Sequence, residues 1–376
     1  MKARITLTWK RLFIGSLSLA ILGIVAALLV AWSGIYSIAA SKGHPAWLNE
    51  FLELGMRRSV EANARTRLVP DLTDPGLIAL GAAHYINACA PCHGGPGDPV
   101  DPVFDGMLPS PPTLEEDAGN WRDHELHWII YNGLQYAGMP QWPGSGREEE
   151  VWPLVAYLRA APDLDAADYK QLTRGNARIT EQDAEDLIET GRLGASRETC
   201  GKCHETENAP PVSDALPRLA GQSEAYLNRA LSEYFLRQRE SGFMEPVAAE
   251  LAETEISALA RYYSDLSASS AAQPDGSPGS NILGRQIALQ GLPQKDLPAC
   301  ASCHGSSRRA DYPKIKGQSA RYIRQQLKLW KSGGRQSTEQ ARLMAGIAAD
   351  LSDEEIDAVA NWLGSNPDRQ LEPVTR

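Results

Sequence analysis

The sequence predicts an all-α protein: three tandem helical units behind one N-terminal transmembrane helix. Three observations predict it. The pentapeptide Cys-x-x-Cys-His occurs three times and uses all six cysteines: Cys89–His93, Cys200–His204 and Cys300–His304. Each copy is followed by a methionine at a similar distance, 46 residues from His93 to Met139 and 40 from His204 to Met244 and from His304 to Met344. Past each methionine, apolar residues recur at offsets of 12, 15 and 18–19, one face of a helix (Val151, Leu154, Tyr157; Ile256, Leu259, Tyr262; Ile356, Val359, Trp362). Long β-branched runs, which would signal strands, are absent.

The first element is the N-terminal segment. No charged residue lies between Leu12 and Ser41, and Phe13 to Ile35 is long enough for a bilayer span, which needs roughly 20 apolar residues. Lys2, Arg4, Lys10 and Arg11 precede it, so the positive-inside rule leaves the N-terminus in the cytoplasm and the rest of the chain outside. The expected location is therefore the inner membrane, single-pass, with the three units on the periplasmic side. A cleaved signal peptide is the competing reading, with Ser37-Ile38-Ala39 as a weak cleavage site, but signal cores run about 7–15 residues and this one is longer. Residues 1–42 are accordingly read as cytoplasmic tail and anchor. The stretch Met56–Arg67, with Arg57, Arg58, Arg65 and Arg67, is either a linker helix or a segment near lipid headgroups. His44 is expected to be solvated.

The pentapeptides carry the chemistry. Cys-x-x-Cys-His is the attachment site of c-type haem: two thiols add to the vinyl groups and the histidine ligates iron. Three disulfides would leave the histidines unexplained. Zinc needs four ligands, and these pairs are 111 and 100 residues apart. A thioredoxin-like pair expects a βαβ context that no flanking run supplies. The expected cofactors are three covalently attached haem c groups on Cys89 and Cys92, Cys200 and Cys203, and Cys300 and Cys303.

Unit 1 is placed at 43–165. Gly81, Tyr85 and Cys89 share a helix face leading to the first pentapeptide, the glycine allowing close approach to the closing helix and the tyrosine packing beside it. The proline-rich loop Leu108–Pro112 precedes a helix around Glu125–Tyr131. Ser145 and Glu148 are a candidate capping box for the closing helix, although Pro153 then sits awkwardly in its first turns. Unit 2 is placed at 166–266 and unit 3 at 281–376, with Pro162–Thr180 joining units 1 and 2, and the Ser/Gly/Pro-rich segment 267–280 joining units 2 and 3 as a flexible linker. Units 2 and 3 are siblings: Pro217–Ser223 (PRLAGQS) matches Pro313–Ser319 (PKIKGQS), with Tyr226 and Tyr322 at the same offset and helices over Leu227–Leu236 and Ile323–Trp330. They place Gly191 and Gly291 nine residues before the first cysteine and lack the unit 1 aromatic. Ser352 and Glu355 form a capping box at the last helix.

Each unit resembles a class I cytochrome c domain, on the evidence of Cys-x-x-Cys-His, a proline-bearing loop, a later methionine and a closing helix with an aromatic. Units 2 and 3 are similar to the two halves of cytochrome c4, through their Gly-Gln-Ser-x-x-Tyr segments and methionine-to-helix spacing. Unit 1, with Gly138-Met139-Pro140-x-Trp142, resembles single-haem domains of membrane respiratory assemblies. The resemblance implies His93, His204 and His304 as proximal iron ligands and Met139, Met244 and Met344 as distal ones. A thioether favours reduced iron and raises the potential, as suits a carrier. The resemblance also places a proline carbonyl against each proximal histidine: Pro217, Pro313, and Pro111 or Pro112 in unit 1. Glu205 departs from the glycines at 94 and 305, and an inward-pointing carboxylate there would lower that haem's potential.

Rivals exist within unit 1. Met56 and Met107 compete with Met139, though Met107 follows His93 by only 14 residues. His84, His124 and His127 could give bis-histidine ligation, and the last two, at i and i+3, could bind a stray metal. The tryptophans at 121, 128, 142, 152, 330 and 362 are read as packing around haems or helices, not as electron stepping stones.

A net charge of −10 argues against nucleic-acid binding. The charge is uneven: +5 over residues 1–42, −11 over 43–165, −8 over 166–280 and +4 over 281–376. The asymmetry is either solvated surface variation, or acidic unit 1 and basic unit 3 face different partners. The expected function is relay of single electrons between respiratory redox partners such as a quinol-oxidising complex, a dehydrogenase or a terminal oxidase. The alternatives are the cytochrome subunit of a periplasmic alcohol or aldehyde dehydrogenase, and a haem peroxidase or nitrite reductase. The last needs an open iron position, against which the three methionines argue. No catalytic residue is assigned, and no signalling domain accompanies the haem motifs to support a redox sensor.

Overall fold

The computed structural model describes residues 8–64, 68–174, 200–266, 281–305 and 310–365. The described residues are helical, without strands; isolated bridges such as Leu134 with Met139 close short loops. The segment 267–280, Gly191, Arg65 and Arg67 lie outside the described residues.

The apolar N-terminal segment forms one helix, Trp9–Ser33, which ends where Gly34 takes a left-handed conformation (φ 66°). None of its residues is buried, and it is long and apolar enough to cross a membrane. The next helix, Ala46–Asn63, settles the fate of the Met56 region. It packs on unit 1, with Met56, Val60 and Ala64 against Trp121, Trp128, Ile129, Leu134 and Met139. The Arg57 guanidinium lies 5.0 Å over the Trp121 ring, and Arg58 pairs with Glu61. Cation–π contact and apolar burial thus hold the C-terminal part of this helix to unit 1, while Trp47, Phe51, Leu52 and Leu54 are exposed.

Unit 1 is built on two crossing helices. The leading helix, Pro75–Ala88, is capped by the Asp74 carboxylate, which accepts from Gly76 N at 2.8 Å; Pro75 occupies the first turn, where no amide is needed. The closing helix is Trp152–Ala160. A Cβ at Gly81 would lie 2.0 Å from the Pro153 carbonyl oxygen, so the helices touch backbone to backbone there, as the sequence predicted. Tyr85 packs on Tyr157 at 4.8 Å and donates to the Gly94 carbonyl at 2.8 Å. The candidate capping box of Ser145 and Glu148 does not form. Glu148–Val151 is a 3-10 turn and the α-helix begins at Trp152, which places Pro153 in a first turn that tolerates it. A further helix, Ala166–Arg174, buries Tyr169 against Gly95, so the unit 1 core runs on to Thr173.

In units 2 and 3 the glycine-glutamine-serine segments cap matching helices. Ser223 starts Glu224–Phe235 and Ser319 starts Ala320–Lys331, each hydroxyl accepting from backbone amides. The closing helices are Glu253–Asp265 and Asp353–Gly364, the latter opened by the expected box of Ser352 and Glu355. Their inner faces bury Ile256, Leu259 and Tyr263, and Ile356, Val359 and Leu363. In unit 3 the leading helix is Ile282–Leu289, and its crossing residue is Gly284, whose Cβ would lie 2.2 Å from the Ala358 carbonyl oxygen. Gly291 instead has φ +75° and turns the chain between that helix and Cys300.

Units 2 and 3 meet through a crossed exchange. Gln222 Nε2 donates to the Lys314 carbonyl at 2.8 Å while Lys314 N donates to Gln222 Oε1 at 2.9 Å. Reciprocally, Gln318 Nε2 donates to the Arg218 carbonyl at 2.6 Å and Arg218 N to Gln318 Oε1 at 2.8 Å. Unit 1 touches both siblings. Arg147 donates to the Glu240 carbonyl at 2.6 Å, and Asp74 pairs with Arg321 of unit 3 at 2.6 Å.

Candidate haem sites

Each pentapeptide sits on a single helical turn: in unit 1 on Ala90–His93 and in unit 3 on Ala301–His304. The histidine amide donates back to the first cysteine carbonyl at 2.9 Å in all three copies. That bond closes the motif into one rigid turn with both thiols and the imidazole at set positions. Burial pushes the Cys89 and Cys200 thiols up to about 12 and Cys203 and Cys300 up to about 11. Thiolate is what a zinc site or a redox pair needs, and these surroundings oppose it.

The histidines are held in the neutral form by burial, which lowers each below its ordinary value. His93 Nδ1 lies 2.8 Å from the Pro112 carbonyl and His304 Nδ1 2.8 Å from that of Pro313. Pro112, not Pro111, is therefore the unit 1 partner. A carbonyl at Nδ1 makes that nitrogen the donor and leaves Nε2 with a lone pair for a metal. At His204 the Pro217 carbonyl favours the ring's proton, while Nδ1 forms no full hydrogen bond with a described residue.

One continuous cavity of about 1020 Å³ runs through units 2 and 3. Cys200, Cys203, His204 and Met244 line one part of it, and Cys300, Cys303, His304 and Met344 line the other. That volume lies at the upper end of the range for small-molecule pockets, about 300–1,000 Å³. The polar lining suits a group with an acidic edge. Arg239 is buried and Arg335 half-buried on the cavity, and neither forms an ion pair with a described residue. Their polar contacts are neutral: Arg239 reaches the Tyr322 hydroxyl at 3.4 Å, and Arg335 reaches Gln326 Oε1 at 2.7 Å. Burial and the neighbouring Arg239 push Arg335 down to about 10. Two adjacent cations so placed without a counter-charge are costly unless an anion joins them. Porphyrin carboxylates meet that need, so the residues present fit haem.

Unit 1 places its residues differently. Met139 sits on a loop pinned to the end of the Asp123–Asn132 helix: Leu134 N donates to the Met139 carbonyl at 3.1 Å and Trp142 N to that of Tyr131 at 2.9 Å. Both rival methionines crowd this loop. Met56 packs in the same apolar cluster as Met139, and the Met107 methyl fills the space beside Gly138.

Three of the other histidines have structural partners. His127 is buried, with Nε2 2.7 Å from the Glu148 carbonyl and its ring 4.4 Å from Trp152. His84 lies between Trp142 at 5.2 Å and Phe243 at 4.7 Å, and burial lowers it to about 4. His44 is exposed and bonds the Tyr36 hydroxyl at 2.7 Å. Among the described residues no group of His, Cys, Asp or Glu forms a metal cluster. The tryptophans at 121 and 142 pack on unit 1's cores, and Trp330 and Trp362 pack on that of unit 3. Glu205 is buried, and its Oε1 accepts from Leu219 N and Ala220 N at 2.6 Å each. It thus braces the segment after Pro217, and its charge favours the protonated form of His204. Sequence reasoning missed Gly284, Glu150, Arg239 and Arg335. The first is offset by an extra turn, and the other three carry no local motif.

Comparison with known proteins agrees with this chemistry. Residues 76–158 match the family described as cytochrome c oxidase, cbb3-type, subunit III, and residues 284–367 match cytochrome c. The chain is 35% identical over 172 residues to a thiosulfate dehydrogenase electron acceptor of Thiomonas intermedia, covering 45% of this chain and 79% of that one. It is 30% identical over 220 residues to the protein of the same description from Stutzerimonas stutzeri, covering 57% and 94%. Against cytochrome c4 of Thiocapsa roseopersicina it is 32% identical over 173 residues, covering 44% and 85%. With a haem-attachment pentapeptide in each of three helical units and these relatives matched over most of their length, the chain belongs to the cytochrome c family and carries three covalently attached haem c groups.

Proposed function

We propose that the protein is a membrane-anchored, periplasmic tri-haem cytochrome that accepts electrons from a periplasmic dehydrogenase and relays them towards a terminal oxidase. The observation that carries this reading is the single cavity onto which two complete sets of two cysteines, a histidine and a methionine converge. Bound haem supplies one-electron exchange between ferric and ferrous iron. The protein's residues do the rest. In this reading Cys89, Cys92, Cys200, Cys203, Cys300 and Cys303 fasten the three porphyrins. His93, His204 and His304 present Nε2 to iron, and the Pro112 and Pro313 carbonyls orient two of them. Met139, Met244 and Met344 would be the further iron ligands and would exclude water and oxygen. Arg239 and Arg335 neutralise porphyrin carboxylates between units 2 and 3. The joined cavity keeps those two porphyrins near each other, which is what transfer between them requires.

Two relatives described as thiosulfate dehydrogenase electron acceptors favour a dehydrogenase as donor, and thiosulfate dehydrogenase is the first candidate. Helix Trp9–Ser33 serves as a retained anchor on the inner membrane in this reading, with the basic residues before it left in the cytoplasm. The test mixes purified oxidised holoprotein with thiosulfate and a thiosulfate dehydrogenase and follows haem reduction by stopped flow. Reduction should be fast, saturable and absent without the dehydrogenase. Reduction no faster than that of an unrelated cytochrome rejects this donor. An intact mass that starts near residue 40 rejects the retained anchor.

A further inference from the structure

The loop that presents Met244 belongs to unit 2, yet unit 1 supplies much of its support. Glu150 of unit 1 is buried against residues 240–244. Its carboxylate accepts from Ser241 Oγ at 2.7 Å and from Gly242 N at 2.6 Å, both in unit 2. Within unit 1 it pairs with Arg147 at 2.6 Å and accepts from Trp142 Nε1 at 3.3 Å. Arg147 extends the contact to the Glu240 carbonyl. The Ser241 hydroxyl, while donating to Glu150, accepts from Met244 N at 3.1 Å and from Phe243 N at 3.3 Å. Two hydrogen bonds therefore connect the Glu150 carboxylate to the backbone of Met244. Side-chain packing follows the same route. Trp142 lies flat against Gly242, where a Cβ would come within 2.0 Å of the indole, and His84 sits between Trp142 and Phe243.

Unit 3 presents the equivalent residue from a longer helix. Met344 lies inside an eleven-residue helix, Glu339–Ala349, capped by the unit's own Thr338. In unit 2 the corresponding helix is only Met244–Ala248, five residues long, and Met244 is its first residue. A helix that short does not hold its own first turn.

We infer that unit 1 sets the position of Met244, with Glu150 as the positioning residue acting through Ser241 and Gly242. This rests on the reading of Met244 as a distal iron ligand. Docking of unit 1 then decides how firmly Met244 would be held as a ligand of the second haem, and through it that haem's potential, while the helix that carries Met344 has a cap of its own. A carboxylate accepting from a serine hydroxyl and a backbone amide is the stronger class of hydrogen bond, so its removal acts on the loop directly.

The test uses full-length holoprotein with Glu150→Gln and, separately, Ser241→Ala, which deletes one hydroxyl and stays available if the first variant does not accumulate. Hydrogen exchange of the 241–245 amides is read beside the near-infrared methionine–iron band and the haem content. The expected result is exchange faster by about tenfold or more, as loss of such a bond implies. Up to a third of the methionine–iron band should be lost with three haems retained, and exchange in 339–349 should be unchanged. Unchanged exchange and band in both variants overturn the inference if Met244→Ala removes a third of the band. An intact band in Met244→Ala overturns the ligand assignment itself, and this inference with it.

Discussion

Replacing Gly284 by alanine tests the crossing of the leading and closing helices in unit 3. The new Cβ would lie 2.2 Å from the Ala358 carbonyl oxygen and 2.7 Å from its carbon, against ordinary contacts of 3.4–4 Å. The helices must part by more than 1 Å at their closest point, and Ala358 is backbone that cannot turn aside. Asn281 Nδ2 also donates to that carbonyl, so displacement weakens a second contact. Overpacking of this kind costs about 1–3 kcal/mol and sometimes more. A weakened hydrogen bond adds about 1 kcal/mol. Alanine's better helix propensity returns up to about 1 kcal/mol. The balance is destabilisation of about 1–3 kcal/mol, centred near 2. Gly346 is the control within the same unit: it lies in the Glu339–Ala349 helix with nothing within 4 Å of its Cβ, so Gly346→Ala should stabilise by up to about 1 kcal/mol. Native-state hydrogen exchange of 282–289 and 353–364, alongside denaturant unfolding, separates the two. Gly284→Ala should speed exchange there by about thirtyfold and Gly346→Ala should slow it. If both variants stabilise equally, the backbone contact is not what sets this crossing.

Three further outcomes follow from named contacts. Glu205→Gln removes a buried negative charge beside His204. Loss of that charge stabilises ferric iron less, so the second haem's potential should rise, read by spectroelectrochemical titration. Gln222→Ala lies in unit 2 yet frees the Lys314 backbone beside the Pro313 carbonyl, so it should shift the third haem's potential more than the second's. His84 is held at about 4 by burial against an ordinary 6.5, so the unfolded chain takes up this proton first. Its contribution is complete above pH 6.5 and is lost as pH falls from there through about 4. His84→Phe should flatten that part of the unfolding profile.

What the sequence made legible is what local chemistry constrains. The pentapeptides were readable because attachment to two edges of one porphyrin admits little else, and the closing helices because their apolar faces repeat at helical period. Gly81 was readable from its spacing to Tyr85 and Cys89. Gly284 does the same work in unit 3 but escaped, because a turn through Gly291 separates its helix from Cys300 and shifts the offset. The choice of Pro112 over Pro111 depended on loop geometry that composition does not encode. The helix Ala46–Asn63 shows apolar residues suited to protein or lipid, and only the facing tryptophans reveal that Met56 and Val60 pack on unit 1. Glu150 and the two glutamines were illegible for one reason: their partners lie about ninety to a hundred residues away in sequence, beyond any local pattern.

The mirrored glutamine contacts between units 2 and 3 carry an evolutionary and practical consequence. A patch in which each member grasps on its neighbour what the neighbour grasps on it is self-complementary, the hallmark of a symmetric homodimer. The pair therefore retains the architecture of two identical molecules that became one polypeptide by duplication. Cut from the chain with its porphyrin in place, the third unit should find another copy of itself and rebuild the handshake.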